Sequence, residues 1–511
     1  MVKKIFITLF LVFTVSSLVK AQTGREWIVS GQPYFKIPVA TEAVYAMTFA
    51  QLNSAGVNTS DPTKLQLWFR GVEQSVFVNN NTLYFYGKGN DGALDSLIYE
   101  PYSARPNKYY SLYSDTTYYF LTVGSVNGKR LAADSTTSST IQTNHIHTET
   151  IFYADQYATG QLYNSDTFLS PGDIGEGWVS NDIAQSGENP ATKQISIPIS
   201  NLYTAGTDPV LDIFLVGTND NTHNVDIVVG SAVYSIPYFS GRITSHFVQS
   251  IPLALLTNNQ PLNVTIRVKG IAIDQPDQVA VASVVLSYPQ LFDVTGLTES
   301  ILQPVNDNTA KTCNISGFAN GAFLWDISSE GNYVNLNYTY ASGTATVNVS
   351  PSVSKILYVN TFNSIIGINS VDMTPYPVNA ELLIISHTKL LTGATAYANY
   401  KTTPEGGAFS VSVADITKLY NLYTYGEMHS MAIKRYCQEQ IALGSPKYLF
   451  LIGKGVNYDY SGNTDQGYLY YRKNSQAFIT NTYTYQQLNY RMENLIPPYG
   501  WPASDLYYTI P

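Results

Sequence analysis

The chain has 511 residues, only 13% of them charged, and its 28 Lys and Arg against 37 Asp and Glu give a formal charge of −9. An acidic chain without a basic run lacks the electrostatic footprint of a nucleic-acid binder. This length exceeds what one core serves, so about three or four domains are expected, and the 41 Tyr suit the exposed strands of a secreted β protein.

The chain opens Met1-Val2-Lys3-Lys4, continues as an apolar run over 5–18 and closes with Val19-Lys20-Ala21. A basic start, a short apolar middle and small residues at −3 and −1 make residues 1–21 a secretory signal peptide, with the mature chain starting at or near Gln22. A membrane anchor needs about 20 apolar residues, and Lys20 closes the run too early. No later segment is long and apolar enough to span a bilayer, so the mature chain is expected to carry no transmembrane helix. Cys313 and Cys437 make no disulfide framework and read as two buried free thiols.

From Trp27 to Glu149 the pattern is strands and turns, with β-rich runs at 64–69 and 82–86 and a dense turn cluster at 87–92. A second unit, 151–288, alternates polar and apolar residues at 192–199 and repeats short strands at the spacing of an antiparallel sandwich. A third, 289–375, reads as a smaller β module. The pattern then changes. Residues 381–386 form a continuous apolar strand of the kind buried in a parallel sheet, followed by an alanine-rich helix near 393–400, a strand at 409–413, a helix over 427–443 and a third buried strand at 448–453. That order predicts a parallel α/β layer with right-handed crossovers, expected as a separate domain over 376–511. The expected fold is therefore mainly β, with two or three sandwich-like modules over 22–150, 151–288 and 289–375, followed by a partial α/β domain with a parallel sheet.

The strings Leu-Leu-Ile-Ile-Ser at 382–386, Leu-Tyr-Asn-Leu-Tyr-Thr-Tyr-Gly at 419–426, Ala-Ile-Lys-Arg at 432–435 and Tyr-Leu-Phe-Leu-Ile-Gly at 448–453 resemble, in this order, the start of the gingipain-type (C25) cysteine peptidase domain. The string at 498–509 is similar to a later segment of the same family. Residues 84–95, 109–116 and 175–178 resemble the β-rich front of the PorU-type sortases, C25 relatives in bacteria with a type IX secretion system. The resemblance implies a caspase/gingipain-like α/β domain and a cysteine endopeptidase that cuts C-terminal sorting domains from exported cargo. It implies protein substrates, contact with other secretion components, and a place outside the inner membrane, extracellular or on the outer-membrane surface. It requires no cofactor, although gingipain-like folds commonly carry structural calcium. Gly453-Lys454-Gly455 departs from the family, many members of which have Gly-Asp there.

A peptidase of this type attacks with a cysteine thiolate, uses a histidine as general acid/base and stabilises an oxyanion with backbone amides. In the family the histidine sits in a Gly-His-Gly-like string and the cysteine further on; this sequence holds no such string. The expectation is a truncated chain, inactive as it stands, with no catalytic, cofactor-binding or metal residue assigned. Cys437 falls inside the 427–443 helix beside its apolar stripe and reads as structural, because a nucleophilic thiol needs a base or helix N-terminus nearby. His429 lies near the start of the same helix and is not assumed to meet it, and Cys313 falls in the β module. His387, at the end of a parallel strand, is in the right region to face a ligand but reads first as a polar strand end. His145, His147 and Glu149 share one strand face and have zinc-ligand chemistry, although their polar run 143–150 reads equally as a solvated edge. Asn90-Asp91-Gly92 with Asp95 offers oxygens to calcium but lacks EF-hand spacing, and tight-turn chemistry explains it. The 173–178 segment reads as a glycine-rich turn packing Trp178. The competing class is a non-enzymatic exported β-sandwich adhesion or scaffold protein with a degenerate peptidase-like tail.

Overall fold

Tyr34–Val39 (β1), Leu65–Phe69 (β2) and Thr117–Val123 (β3) are short alternating strands, and their alternation decides the architecture. In the computed structural model, which describes residues 23–99, 101, 104–160, 174–272, 274–305, 307–455, 495–499 and 505–509, they pair antiparallel in the order β1-β3-β2. Ile37, Val39, Leu67 and Leu121 point to one side, against Leu83 and Phe85 of a second sheet. Tyr34 and Phe120 point to the other side and join a different core. The signal peptide expected over 1–21 lies outside the described residues. Asn369–Val371 and Asn363–Ser364 return from late in the chain to extend these two sheets at one edge.

The second unit is the expected antiparallel sandwich. Asn144–Phe152 (β4), Val210–Gly217 (β5) and the 15-residue Asp277–Leu291 (β6) form one sheet in the order β4-β6-β5. A bulge between Phe214 and Leu215 shifts the β5–β6 register. The facing sheet is built from Ala191–Ile197, Leu262–Val268, Val225–Val229 and Ala232–Ser235, and Ile195, Ile213, Leu215, Ile227, Val264 and Val281 fill the gap. Because β4 starts at Asn144, the expected division at 150/151 falls inside a strand. The third unit closes over Cys313, Ile315, Leu324, Val347 and Tyr358, and borrows Ala132–Ala133 and Ile141–Gln142 from the earlier stretch.

The C-terminal part is the expected parallel layer. Leu382–Ser386 (β7) lies between Val411–Asp415 (β8) and Tyr448–Ile452 (β9), both parallel to it. Leu391–Thr402 (α1) connects β7 to β8; Ile416–Tyr423 (α2) and Met431–Leu443 (α3) connect β8 to β9. β7 is buried along its whole length, as its uninterrupted apolar run requires. Leu382 and Ile384 pack with Ala394 and Ala398 of α1, while Leu383 and Ile385 face α2 and α3. Helix α3 is shorter than the expected 427–443, and α2 was not foreseen. Asp415 starts α2 by accepting the Thr417 amide on its carboxylate (2.9 Å).

This layer is not separate. Trp27, Tyr34, Tyr99, Tyr113, Phe120 and Trp178 of the β-rich front share one core with Leu383, Leu419, Leu422, Ile433 and Tyr436. The sheet β1-β3-β2 is therefore covered on both faces. No helix among the described residues is long and apolar enough to cross a membrane.

Candidate functional site: the carboxyl edge of the parallel sheet

With β7 central and β8 and β9 on either side, successive connections leave the sheet in opposite directions. By the rule for open α/β sheets, this topology puts the ligand crevice at the carboxyl ends of the strands. Ser386, the last residue of β7, donates through Oγ to the Ile452 carbonyl at the end of β9 (3.0 Å). His387 follows. Its Nδ1 accepts the Lys389 amide (3.2 Å) and so starts a short 3₁₀ turn, which leaves Nε2 as the protonated nitrogen of the neutral ring. Thr388 Oγ1 donates to Asp415 Oδ2 at the end of β8 (2.8 Å). At the end of β9, the Lys454 carbonyl accepts the amides of Leu495 and Ile496 (both 3.0 Å). A Cβ at Gly453 would lie 2.6 Å from Ile496 Cγ1, so a glycine is needed for that close approach.

Among the described residues the edge thus carries one imidazole, from His387, and no thiol. Cys437 lies at the other end of the layer. It lines a cavity of about 130 Å³ with Leu383, Pro446, Tyr448 and Leu449, near the amino ends of β7 and β9. Its thiol is buried, and burial pushes the pKa up to about 12. The Cys313 thiol, inside the third unit's core, is likewise pushed up to about 12 by burial. A thiol held that high is a packing group, not a nucleophile.

His429 is buried just before α3, some 12 Å of helix rise from Cys437 by residue count. Its Nδ1 accepts the Met431 amide (3.0 Å), its Nε2 stands 3.4 Å from Asp95 Oδ1, and its ring lies against Tyr113 (4.6 Å between centroids). Burial holds its pKa below the usual histidine value, with Asp95 opposing. It belongs to a buried polar seam between the β-rich front and the α2–α3 turn, which reasoning from the sequence alone did not identify. Arg70 Nε and Nη2 fork onto Glu427 (2.7 and 3.3 Å); Nη2 also donates to Asn90 Oδ1 (3.3 Å), and Nη1, the other terminal nitrogen, meets Asp91 (3.0 Å). Lys36 Nζ donates to Asn421 Oδ1 (2.8 Å) and to the Gly426 carbonyl (3.0 Å), 3.6 Å over the Tyr118 ring. Burial brings the Lys36 pKa down to about 7, with the Glu427 charge opposing. Burial raises the Glu427 carboxyl, against the pull of Arg70.

The remaining candidates are accounted for locally. Asn90 accepts the Gly92 amide (2.9 Å) and Asp91 the Ala93 amide (3.0 Å), while Asp95 accepts the Leu112 amide (2.7 Å). With Arg70 also on Asp91, the turn's carboxylates face N–H groups and cations and do not form a calcium donor set. His145 is fully buried and accepts the Gln303 amide (3.3 Å), and burial takes its pKa down to about 4. His147 meets Glu149 (3.3 Å). Among the described residues no three His, Cys, Asp or Glu side chains come together to hold a metal ion. In the 173–178 segment, Asp173 lies outside the described residues; Glu176–Val179 is a strand paired with Gln156–Thr159, and Trp178 is buried against Tyr157.

Residues 376–511 match the family model described as Peptidase family C25. No curated protein matches the chain. Among solved structures, it is similar to the dimeric latent PorU from Porphyromonas gingivalis, at 15% identity and a TM-score of 0.58. That match covers 85% of this chain but 42% of that one, so the chain spans less than half the length of the protein it resembles. At that identity the likeness is one of fold. A match to the CBM36-1 domain of a multidomain xylanase from the hindgut metagenome of Trinervitermes trinervoides (16% identity, 28% of this chain, 96% of that one) has a TM-score of 0.15, too low to bear on function.

Proposed function

Starting from a peptidase family C25 segment set on a PorU-like fold, we propose that this chain contributes the β-rich front and the first strands of the peptidase domain to an exported cysteine endopeptidase. The observation that carries the reading is that the C25 match begins at 376 and takes in β7, β8 and β9, whose carboxyl ends form the crevice. The chemistry is acyl transfer from a peptide to a thiolate, with a histidine moving the proton. Neither Cys437 nor Cys313 is proposed as that thiol, and neither His387 nor His429 as its base. His387 is proposed to line the crevice. The substrates are exported cargo proteins bearing C-terminal sorting domains, processed outside the inner membrane after export directed by residues 1–21.

The test incubates the full-length protein with purified cargo carrying its sorting domain and follows the products by mass. Release of the sorting domain at one junction supports a sortase. Cleavage of unrelated polypeptides with no preference for that junction would make it a general peptidase, and no thiol-dependent cleavage of any substrate would remove the peptidase reading.

A further inference from the structure

We infer that the β-rich front is an obligate structural half of the parallel α/β layer, and that the Arg70–Glu427 pair is the lock that sets the α2–α3 turn and the start of α3. The turn is backbone-strained where the lock grips it. Tyr425 has φ +55°, a left-handed conformation that a non-glycine residue keeps only when surrounding contacts impose it, and Gly426 follows at φ +84°, which glycine adopts without strain. A Cβ on Gly426 would lie 2.8 Å from Lys36 Cε, 2.9 Å from Tyr118 Cβ and 3.0 Å from Phe120 Cζ, so the turn is seated directly on β1 and β3.

Four side chains of the front converge on ten residues of the turn. Lys36 holds Asn421 and the Gly426 carbonyl, Arg70 forks onto Glu427, Asp95 faces His429, and Tyr113 Oη meets Ser430 Oγ (2.9 Å). A second tie, Arg25 to Glu439, grips α3 two turns further on, and Tyr423 donates to the same carboxylate. The apolar core shared across this interface supplies adhesion, but adhesion alone leaves a helix free to slide and rotate. Paired charges with fixed geometry resist that, because any displacement leaves a buried charge without its partner. Glu427 is the most demanding of them, with its side chain 3% exposed and Arg70 as its forked cation. The segment 84–95 thus has a role of its own: Asn90 shares the Arg70 Nη2 with Glu427, Asp91 holds Nη1, and Asp95 closes on the turn. This inference stands on the fold and does not depend on the chain being a peptidase.

The experiment is hydrogen exchange on the full-length protein, wild type against Arg70→Met, with amides of Leu262–Val268 in the sandwich as the internal reference. The lock predicts that amides of α3 exchange about 100-fold faster in the variant, that the loosening reaches β7 and β8, and that the reference strand is unchanged. The milder Arg70→Lys keeps the charge and loses the fork, and is expected to accelerate α3 about tenfold; it serves alone if Arg70→Met does not accumulate as folded protein. Acceleration confined to β2 and its neighbouring turn, with α3 unchanged, would overturn the inference. So would equal acceleration in α3 and in the sandwich reference, which would mark general destabilisation instead of a lock.

Discussion

The chain's two thiols provide the most direct check on how the functional residues are placed. Cys437 is 3% exposed and Cys313 fully buried, and burial raises each pKa to about 12. Only the thiolate reacts with a disulfide reagent. At pH 7.5 a thiol with a pKa near 12 is ionised to roughly 3 parts in 10⁵, against about one part in ten at a pKa near 8.5, so ionisation alone slows reaction about 3,000-fold. Steric exclusion slows it further. The assay follows chromophore release from an aromatic disulfide reagent, with the folded chain beside the chain in guanidinium, and identifies the modified cysteine by peptide mass. Both thiols are expected to react at once when unfolded and neither within hours when folded. Labelling of Cys437 within about tenfold of the rate of a free thiol, with circular dichroism and melting unchanged, would refute the placement and reopen Cys437 as a nucleophile.

Other outcomes follow from single sites. His145 has its pKa lowered from 6.5 to about 4 by burial, so between those values the unfolded chain binds a proton that the folded chain does not. Stability should therefore fall as pH drops from 6.5 to 4, by up to about 3 kcal/mol, and urea melts of wild type and His145→Gln at pH 7 and pH 4.5 should show a smaller loss in the variant. Gly92→Ala should cost at least ~1–2 kcal/mol, since φ is +70° and the new methyl would stand 2.5 Å from Asp95 Oδ2 and 2.8 Å from an Arg105 nitrogen; an unchanged denaturation midpoint would contradict that crowding. Gly393→Ala should do the reverse, because Gly393 sits in α1 with open space around it. A gain of about 0.5–1 kcal/mol is expected in the same melts.

Most of the elements could be read from the sequence, because periodicity is a local property. The uninterrupted apolar run of β7 announced a strand buried on both faces, and the alternation at 192–199 announced a sandwich strand with one wet face; both were found. Helix α2 was not visible, since its Tyr-rich string Ile416–Tyr423 suits a strand as well as a helix, and Asp415 is a cap only once the chain turns there. The unit boundaries were hidden for a different reason. Ala132–Ala133, Ile141–Gln142, Asn363–Ser364 and Asn369–Val371 are two or three residues long, too short to carry a period, yet they tie distant stretches into common sheets.

The seam was missed for the most general reason. In β1, Phe35, Ile37 and Val39 alternate with Tyr34, Lys36 and Pro38, which by pattern alone is a strand with its apolar side inward and its lysine toward water. Alternation shows which side of a strand is polar. It does not show whether that side meets solvent or a polar or charged partner elsewhere in the chain. Here the partner of Lys36 lies 385 residues on, at Asn421, and that of Arg70 lies 357 residues on, at Glu427. A charged strand face with a matching charged turn far away looks, residue by residue, the same as two solvated surfaces. The difference is measurable in the protein: truly solvated charges such as Lys447–Glu381, with side chains 60% and 36% exposed, should contribute less than about 1 kcal/mol when either is replaced, whereas removing Arg70 should expose the whole dependence of α3 on the β-rich front.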